Sequence, residues 1–488
     1  MVNQMDKVDH KLSQAEGGSA GRCTSTYLDE YDDDGPPQRT GNLWTASAHV
    51  ITAVIGSGIL SLAWSIAQLG WIAGPSCLIF FAFVTYYASV LLTDCYRSPD
   101  PVYGKRNRTY MEAVRANLGP VQQWLCGFVQ CSMLWATAVG YTITASTSMV
   151  AIKRSNCFHS HGKHSACHVS NNPYMIGFGA IQIVFSQIPD FHRIWWLSIV
   201  AAVMSFSYSC IGLGLGIGKI MESGHLHGTI GGVSVGNAVH EISKETKVWH
   251  AFQALGSIAF AYSFSVILIE IQDTLKNPPP ENKTMKKVTL IGVSTTTAFY
   301  TTIGCVGYAA FGNNAPGNLL TGFGFYNPYW LVDFANACVV VHLVGAYQVF
   351  CQPLFAFIEN GTSKSWPDNR FIHKDYVIYI PFHRPISVNS FRLVMRTVFV
   401  ATTTLVALLL PFFNDIVGLI GAYVFWPMTV YFPIAMYINQ HKVKPWTMRW
   451  AWLQFLTTIC LLVSLSAGLG SIAGIVRDLK HYVPFKSA

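Results

Sequence analysis

Ala48-His49-Val50-Ile51-Thr52-Ala53-Val54-Ile55-Gly56-Ser57-Gly58-Ile59-Leu60-Ser61-Leu62 is apolar enough to lie in a bilayer, yet two glycines flank a serine near its middle. Each glycine weakens a helix by about 1 kcal/mol relative to alanine. Backbone that opens at membrane depth has to be shielded from lipid, so a break here lines a cavity inside a bundle. The opened helix presents N–H groups at the start of its second half, and these, with the helix dipole, suit a carboxylate. The same small residues also suit close helix packing, and both readings stand at this point.

A counterpart lies five apolar segments on: Leu255-Gly256-Ser257-Ile258-Ala259-Phe260-Ala261-Tyr262-Ser263-Phe264-Ser265, again small and polar at mid-depth and without proline. That spacing fits an inverted repeat of five helices with one interrupted helix in each half. Carbonyls freed at the second break would accept an ammonium group, and Phe260 or Tyr262 would close over it. The alternative is two ordinary glycine-containing helices.

The surrounding composition places both stretches in a membrane. Of 488 residues 51% are hydrophobic and 11% charged, with mean hydropathy +0.35. A soluble chain carries roughly 25% charged residues, so lipid has to cover most of this exterior. Eleven windows reach the roughly 20 residues a span needs: 44–68, 72–96, 122–152, 173–189, 194–219, 248–275, 288–311, 329–357, 391–411, 413–437 and 450–475. Tryptophans cluster near their ends (Trp44, Trp71, Trp124, Trp195, Trp196, Trp249, Trp330, Trp446, Trp450), where amphipathic rings settle at an interface. The fold expected is all-α and polytopic.

The net charge of +8 does not mark a nucleic-acid partner, because the bases lie in short loops between apolar windows. With the N-terminus inside, the inner segments hold 23 of the 32 Lys and Arg and the outer segments 9. That bias predicts a cytoplasmic N-terminus and, with eleven spans, an extracellular C-terminus. The sequons at Asn107, Asn282 and Asn360 then fall inside and stay unglycosylated. The first 40 residues lack the apolar core of a signal peptide; their acidic run (Asp29, Glu30, Asp32, Asp33, Asp34) reads as a disordered tail. The organisation expected is this tail (1–40), a transmembrane domain (41–475) and a short C-terminal tail (476–488). Repeat one covers about 44–219, repeat two about 248–437, and an extra helix about 450–475.

Several ionisable side chains fall inside windows, where they are functional candidates. His342 lies near the centre of the eighth, and His49 about two turns before the first break. Histidine titrates near neutral pH, so either is a candidate to carry a proton through a cycle; the alternative is a neutral histidine bonded to a neighbouring helix. Glu270 and Asp273, at the inner end of the sixth window beside Lys276, read as gate charges. Asp333 and Asn336 enter the eighth window from the outer side. Gly212, Gly214, Gly216 and Gly218 form two small-xxx-small pairs suited to helix contact. The outer loop with Cys157 and Cys167 also holds His159, His161, His164 and His168; a disulfide closing it and a zinc site are both open. No other metal site is indicated, and no P-loop, HExxH or GxSxG motif occurs, which argues against an ATP-driven pump, a metalloprotease or another enzyme.

The segment Thr45–Trp64 resembles the first helix of plant amino acid permeases, of the amino acid/auxin permease family within the amino acid-polyamine-organocation superfamily. The likeness continues through Gln68-Leu69-Gly70-Trp71-Ile72-Ala73-Gly74, Ser186-Gln187-Ile188-Pro189-Asp190-Phe191-His192, Ile269-Glu270-Ile271-Gln272-Asp273-Thr274-Leu275, Gly307–Gly312, Asp333–Ala337, Phe425-Trp426-Pro427 and Tyr431-Phe432-Pro433. The resemblance implies the fold of sodium-coupled leucine transporters, with helices 1 and 6 broken. It also implies proton-coupled amino acid import at the plasma membrane, with the proton as coupling ion and no cofactor. Carried over, Gly56, Ser57, Gly58 and Ile59 would hold the substrate carboxylate. The backbone of Ala259, Phe260 and Tyr262 would hold the amino group, and Tyr141 would line the pocket. Some proton-driven proteins of this fold place a lysine in span five; here the first lysine is Lys219, at its edge, so the two histidines remain the proton candidates. The rival function is an amino acid sensor, or transceptor, with little transport, which would carry a longer signalling domain.

Overall fold

The computed structural model describes residues 39–162, 167, 169–188, 195–236, 242–324, 328–378, 386–480 and 482. The acidic run of the N-terminal tail, His164, His168, the Pro189–His192 stretch and residues 481 and 483–488 of the C-terminal tail lie outside them; residues 476–479, expected in that tail, instead continue the last helix.

The first helix, α1 (Leu43–Val54), starts at a capping box: the Asn42 side chain accepts from the N–H groups of Trp44 and Thr45, while Thr45 Oγ1 accepts from Asn42 N–H. A 3-10 turn, Ser57–Ser61, follows a break and feeds α2 (Leu62–Asp94). Within α2, Gly70 alone leaves helical geometry (φ 85°, ψ 178°), and there the chain turns from the first expected window into the second. A β-carbon at Gly70 would lie 2.2 Å from the Ile230 carbonyl oxygen, so glycine is required both for its left-handed φ and for that close approach.

A short hairpin, β1 (Arg97–Ser98) and β2 (Lys105–Arg106), leads into the amphipathic α3 (Tyr110–Leu118) and then α4 (Pro120–His161), α5 (Asn172–Ser186) and α6 (Trp195–Ser223). The second half opens with α7 (Lys244–Ala261), capped by Ser243, and a second break precedes α8 (Leu268–Gln272). After it come α9 (Glu281–Phe311), α10 (Tyr329–Ser365) and the short α11 (Arg370–His373). A second hairpin, β3 (Asp375–Ile378) and β4 (Ile386–Asn389), precedes α12 (Ser390–Leu409) and α13 (Phe413–Val424). A π-helical stretch, Phe425–Tyr431, around Pro427 joins α13 to α14 (Phe432–Gln440), and α15 (Met448–Leu479) closes the described chain.

Among the described residues seven helical stretches are long and apolar enough to cross a membrane: Ser57–Asp94, Ile199–Ser223, Lys244–Gln272, Tyr329–Ser365, Ser390–Leu409, Phe413–Gln440 and Met448–Leu479. The remaining expected windows coincide with α1, α4, α5 and α9, which are shorter or carry polar turns. At 15 residues α5 is only about 22 Å long. Burial separates core from periphery: 72% of the apolar window is buried in Lys244–Gln272 and in Phe413–Gln440, but 28% in Met448–Leu479. The interrupted α7–α8 thus lies at the centre, and α15 presents Leu462, Leu465 and Leu469 outward. Small residues set the closest approaches. A β-carbon on Gly256 (α7) would lie 2.3 Å from the Gly418 carbonyl (α13), and one on Gly216 (α6) 2.9 Å from Val306 Cγ1 (α9). Of the glycine pairs expected on α6, Gly212 and Gly216 face neighbours, while Gly214 faces open space.

Gly70→Ala is expected to lower stability by about 3 kcal/mol or more, because a strained φ adds to a backbone collision. Thermal unfolding of the detergent-solubilised protein measures this; an unchanged midpoint would contradict the role given to the turn.

Candidate substrate site at two interrupted helices

Helix α1 ends because Ile55 leaves helical geometry (φ −75°, ψ 84°) and Gly56 is extended (φ −130°, ψ −154°). Gly56 N–H turns back to the Val54 carbonyl at 2.9 Å, Ile59 N–H reaches the Gly56 carbonyl at 3.3 Å, and Ser61 Oγ donates to the Gly58 carbonyl at 2.9 Å. Ser57, Gly58 and Ile59 are buried. The N–H groups of Ser57 and Gly58 open the new helical turn, where no preceding carbonyl of that turn serves them, and they stand at the positive end of its dipole.

The second break lies slightly later than the Ala259–Tyr262 stretch expected to carry it. Regular helix continues through Ala261, and the departure is at Tyr262 (φ −99°, ψ 5°) and Ser263 (φ −81°, ψ 37°). The physical reason is Ser263: its hydroxyl donates to the Ala259 carbonyl at 2.7 Å and its N–H to the Phe260 carbonyl at 3.2 Å, which tightens the last turn. The Ala259 and Phe260 carbonyls expected to take an ammonium group therefore each accept a bond from their own chain, with a second lone pair left.

The two breaks touch. A β-carbon on Gly58 would lie 3.2 Å from Phe260 Cδ1 and 3.4 Å from Ala261 Cα. His342, from α10, joins them: its Nδ1 is 2.7 Å from the Ala201 carbonyl of α6, and its Nε2 would be 3.9 Å from a β-carbon on Gly56. Tyr208 packs edge-on against the His342 ring, centroids 5.7 Å apart.

Residues 39–477 match the family model described as transmembrane amino acid transporter protein. Amino acid permease 3 of Arabidopsis thaliana is 60% identical, covering 95% of this chain and 96% of that one. Amino acid permease 2 of the same plant is also 60% identical, over 94% of this chain and 92% of its own. The chain belongs to the transmembrane amino acid transporter family. Among solved structures it is similar to MhsT in complex with L-phenylalanine, with TM-score 0.51 and 9% identity, over 89% of this chain and all of that one. That likeness concerns the fold, the five-plus-five inverted repeat with helices 1 and 6 broken.

In this transporter the remaining expected residues divide by depth. Glu270 and Asp273 lie on the face where α1 begins. Glu270 Oε1 accepts from the Tyr110 N–H at the start of α3, and Asp273 accepts from the Tyr96 hydroxyl at 2.7 Å. Gly41 bridges the same region, its N–H 2.9 Å from the Thr274 carbonyl and its carbonyl 3.0 Å from Lys276 N–H. Beside them, buried Glu281 takes hydrogen bonds from both Arg39 and Arg97. Burial raises the Glu281 carboxyl, but the two guanidiniums outweigh it and hold it below its ordinary range. These bonds tie the elements of this face together.

Tyr141 is buried on α4, edge-on to Phe350 at 5.6 Å. Tyr262 points its hydroxyl at Thr297 Oγ1, 3.1 Å away on α9, and so does not lie across Gly58 as Phe260 does. His49 is exposed on α1, outside the buried stripe of Ala46, Ser47, Val50 and Val54. Asp333 accepts from Asn156 Nδ2 at 2.9 Å on the opposite face. Cys157 and Cys167 are joined by a disulfide, and His159 of that loop stacks on Tyr329.

Sequence reading missed Tyr300. Its hydroxyl, from α9, lies 2.5 Å from the Val54 carbonyl at the first break and 3.3 Å from the Ala261 carbonyl at the second. Ser89 of α2 meets Ser265 just past the second break at 3.1 Å. Opposite the Glu281 face, His250 of α7 hydrogen-bonds Gln68 of α2 at 3.1 Å. Polar side chains in apolar windows were the available signal, but which break they serve depends on packing.

Tyr300→Phe is expected to cost about 1–3 kcal/mol, because both carbonyls lose their donor in a buried site, and to slow uptake; an unshifted melting curve would remove Tyr300 from this role. At the Glu281 face the sign follows from the lowered carboxyl. Its contribution is present above the unfolded carboxylate value and is lost only as pH falls through the lower folded value. Maleimide labelling of a Ser47→Cys reporter should therefore stay slow from about pH 7 to about pH 5.5, and Glu281→Gln should speed it at both. Equal rates with and without Glu281→Gln would show that the pair does not seal this face.

Proposed function

We propose that the chain is a proton-coupled symporter importing amino acids, broadly or with a preference for neutral ones, across the plasma membrane by alternating access. The observation that carries this reading is the aim of His342 at the first break. Its Nδ1 faces a carbonyl, which can only accept, so in the neutral ring Nδ1 holds the hydrogen and Nε2 is the open lone pair. A proton taken at Nε2 places a cation beside Gly56, where the Ser57 and Gly58 N–H groups would grip a carboxylate. The remaining acceptor capacity of the Ala259 to Tyr262 carbonyls would take the amino group. Phe260 would swing from Gly58 to admit the substrate, with Tyr141 behind it. His49 is the second proton candidate, about 10 Å along α1 from Gly56.

In this reading the Glu281 face is cytoplasmic, Glu270 and Asp273 belong to the inner gate, and eleven crossings leave the C-terminus outside. Repeat one spans about 44–219, repeat two about 248–437, and the helix at about 450–475 is an addition. A proton and a zwitterion entering together move one positive charge per cycle.

The experiment is electrical recording from oocytes given a panel of amino acids at two external pH values. Inward currents that grow with acidity are expected; amino acid uptake without current at either pH would overturn the proton-coupled reading, and binding without uptake would favour a sensor. Gly58→Leu should abolish uptake while protein still reaches the membrane, since even a β-carbon there meets Phe260. His342→Gln should flatten the pH dependence; an unaltered pH dependence would exclude His342 as the proton site.

A further inference from the structure

Among the described residues two carboxylates are more than nine-tenths buried, Glu281 and Asp415. Glu281 is matched by two arginines. Asp415 is not matched in this way. It sits in the first turn of α13, on the face opposite the Arg39–Glu281 pair, and its Oδ1 accepts a hydrogen bond from the side-chain amide of Gln253 on α7 at 2.9 Å. Gln253 is itself 2% exposed. Across the seam, α15 contributes Gly474: a β-carbon there would lie 1.8 Å from Oδ1, so the carboxylate lies directly against helix backbone. The other charged or titratable groups facing this seam are few. On α15, Arg477 and Asp478 face each other at 3.7 Å. On α7, His250 lies one turn before Gln253 and is hydrogen-bonded to Gln68. From α4, Gly140 faces α13 near Ile416 and Ile420.

We propose that Asp415 binds a proton from the outer side during transport, and that the neutral carboxyl locks α7 to α13 to close the outer half of the path. The chemistry is specific to an acid–amide pair. An ionised carboxylate offers only acceptors, so it takes one hydrogen bond from the Gln253 NH2 group. A protonated carboxyl donates as well: its O–H goes to the Gln253 carbonyl oxygen while the amide N–H still goes to the other carboxyl oxygen, and one bond becomes two. The proton stays on Asp415 until the outer half reopens, and no bond other than O–H is made or broken. Gln253 lies on the same broken helix as Phe260, so the lock tightens the half-helix that abuts the substrate break. This places a proton-operated gate group at the outer end of the path, while His342 at the first break remains the coupling site, and it rests on the proton-coupled reading above.

The test uses the full chain in oocytes, with surface protein quantified for each variant. In Asp415→Asn the side chain is neutral at every pH. Its amino-acid-evoked current is expected to agree within about twofold between about pH 5.5 and about pH 7.5, where the unaltered protein responds to acid. Gln253→Glu puts two carboxyls in contact, which share a proton more tightly than one carboxyl holds it. The pH dependence should therefore move at least about one unit toward alkaline pH. Wild-type pH dependence in Asp415→Asn, or an unshifted profile in Gln253→Glu, overturns the proposal. If Asp415→Asn fails to reach the surface, the Gln253→Glu profile decides alone. A parent protein whose uptake carries no proton-dependent current would instead defeat the proton-coupled reading itself.

Discussion

A peptide group inside a bilayer has no water to turn to, so each N–H and C=O released from a helix has to find a partner within the protein. Two helices of this transporter break that regularity near mid-depth, and the surrounding architecture answers the need they create. Ser61 and Ser263 hydroxyls return to carbonyls of their own segments, Tyr300 supplies a hydrogen between the two breaks, and Ser89 meets Ser265. The helix holding the second break is also among the most buried of the apolar stretches. The donors at the start of the Ser57–Ser61 turn have no preceding carbonyl of that turn to serve them.

The two membrane faces are built from different chemistry. On the face where α1 begins the contacts are ionic or charge-assisted, with Arg39 and Arg97 on Glu281, Lys286 on Asp94 and Tyr96 on Asp273. On the opposite face amide side chains supply the contacts, Gln68 to His250, Gln253 to Asp415 and Asn156 to Asp333, with Arg477–Asp478 the ion pair nearby. Removing one member of a buried ion pair leaves a bare charge, whereas an amide contact exchanges more readily with water.

How much of this was legible from residues follows their physics. Gly56 and Gly58 announced the first break, because glycine's cost in a helix is local and independent of neighbours. The second break was read a few residues early: Gly256, which drew attention to it, serves instead to pack α7 on α13, while Ser263 ends the helix. Windows one and two were separated in the sequence, but the left-handed turn of Gly70 that joins them emerges only in the structure. Asp415, near the start of the tenth window, carries no local mark; only the approach of α7 and α15 shows it buried. Tyr300 carries no local mark at all, since its significance lies in two carbonyls 246 and 39 residues away.

That tyrosine has one hydrogen and two claimants. At 2.5 Å from Val54 and 3.3 Å from Ala261 it favours the first helix, and a small tilt of either half-helix would transfer the preference without any moment at which both carbonyls stand bare. The phenol therefore ties the two half-helices together with a single hydrogen that either carbonyl can hold.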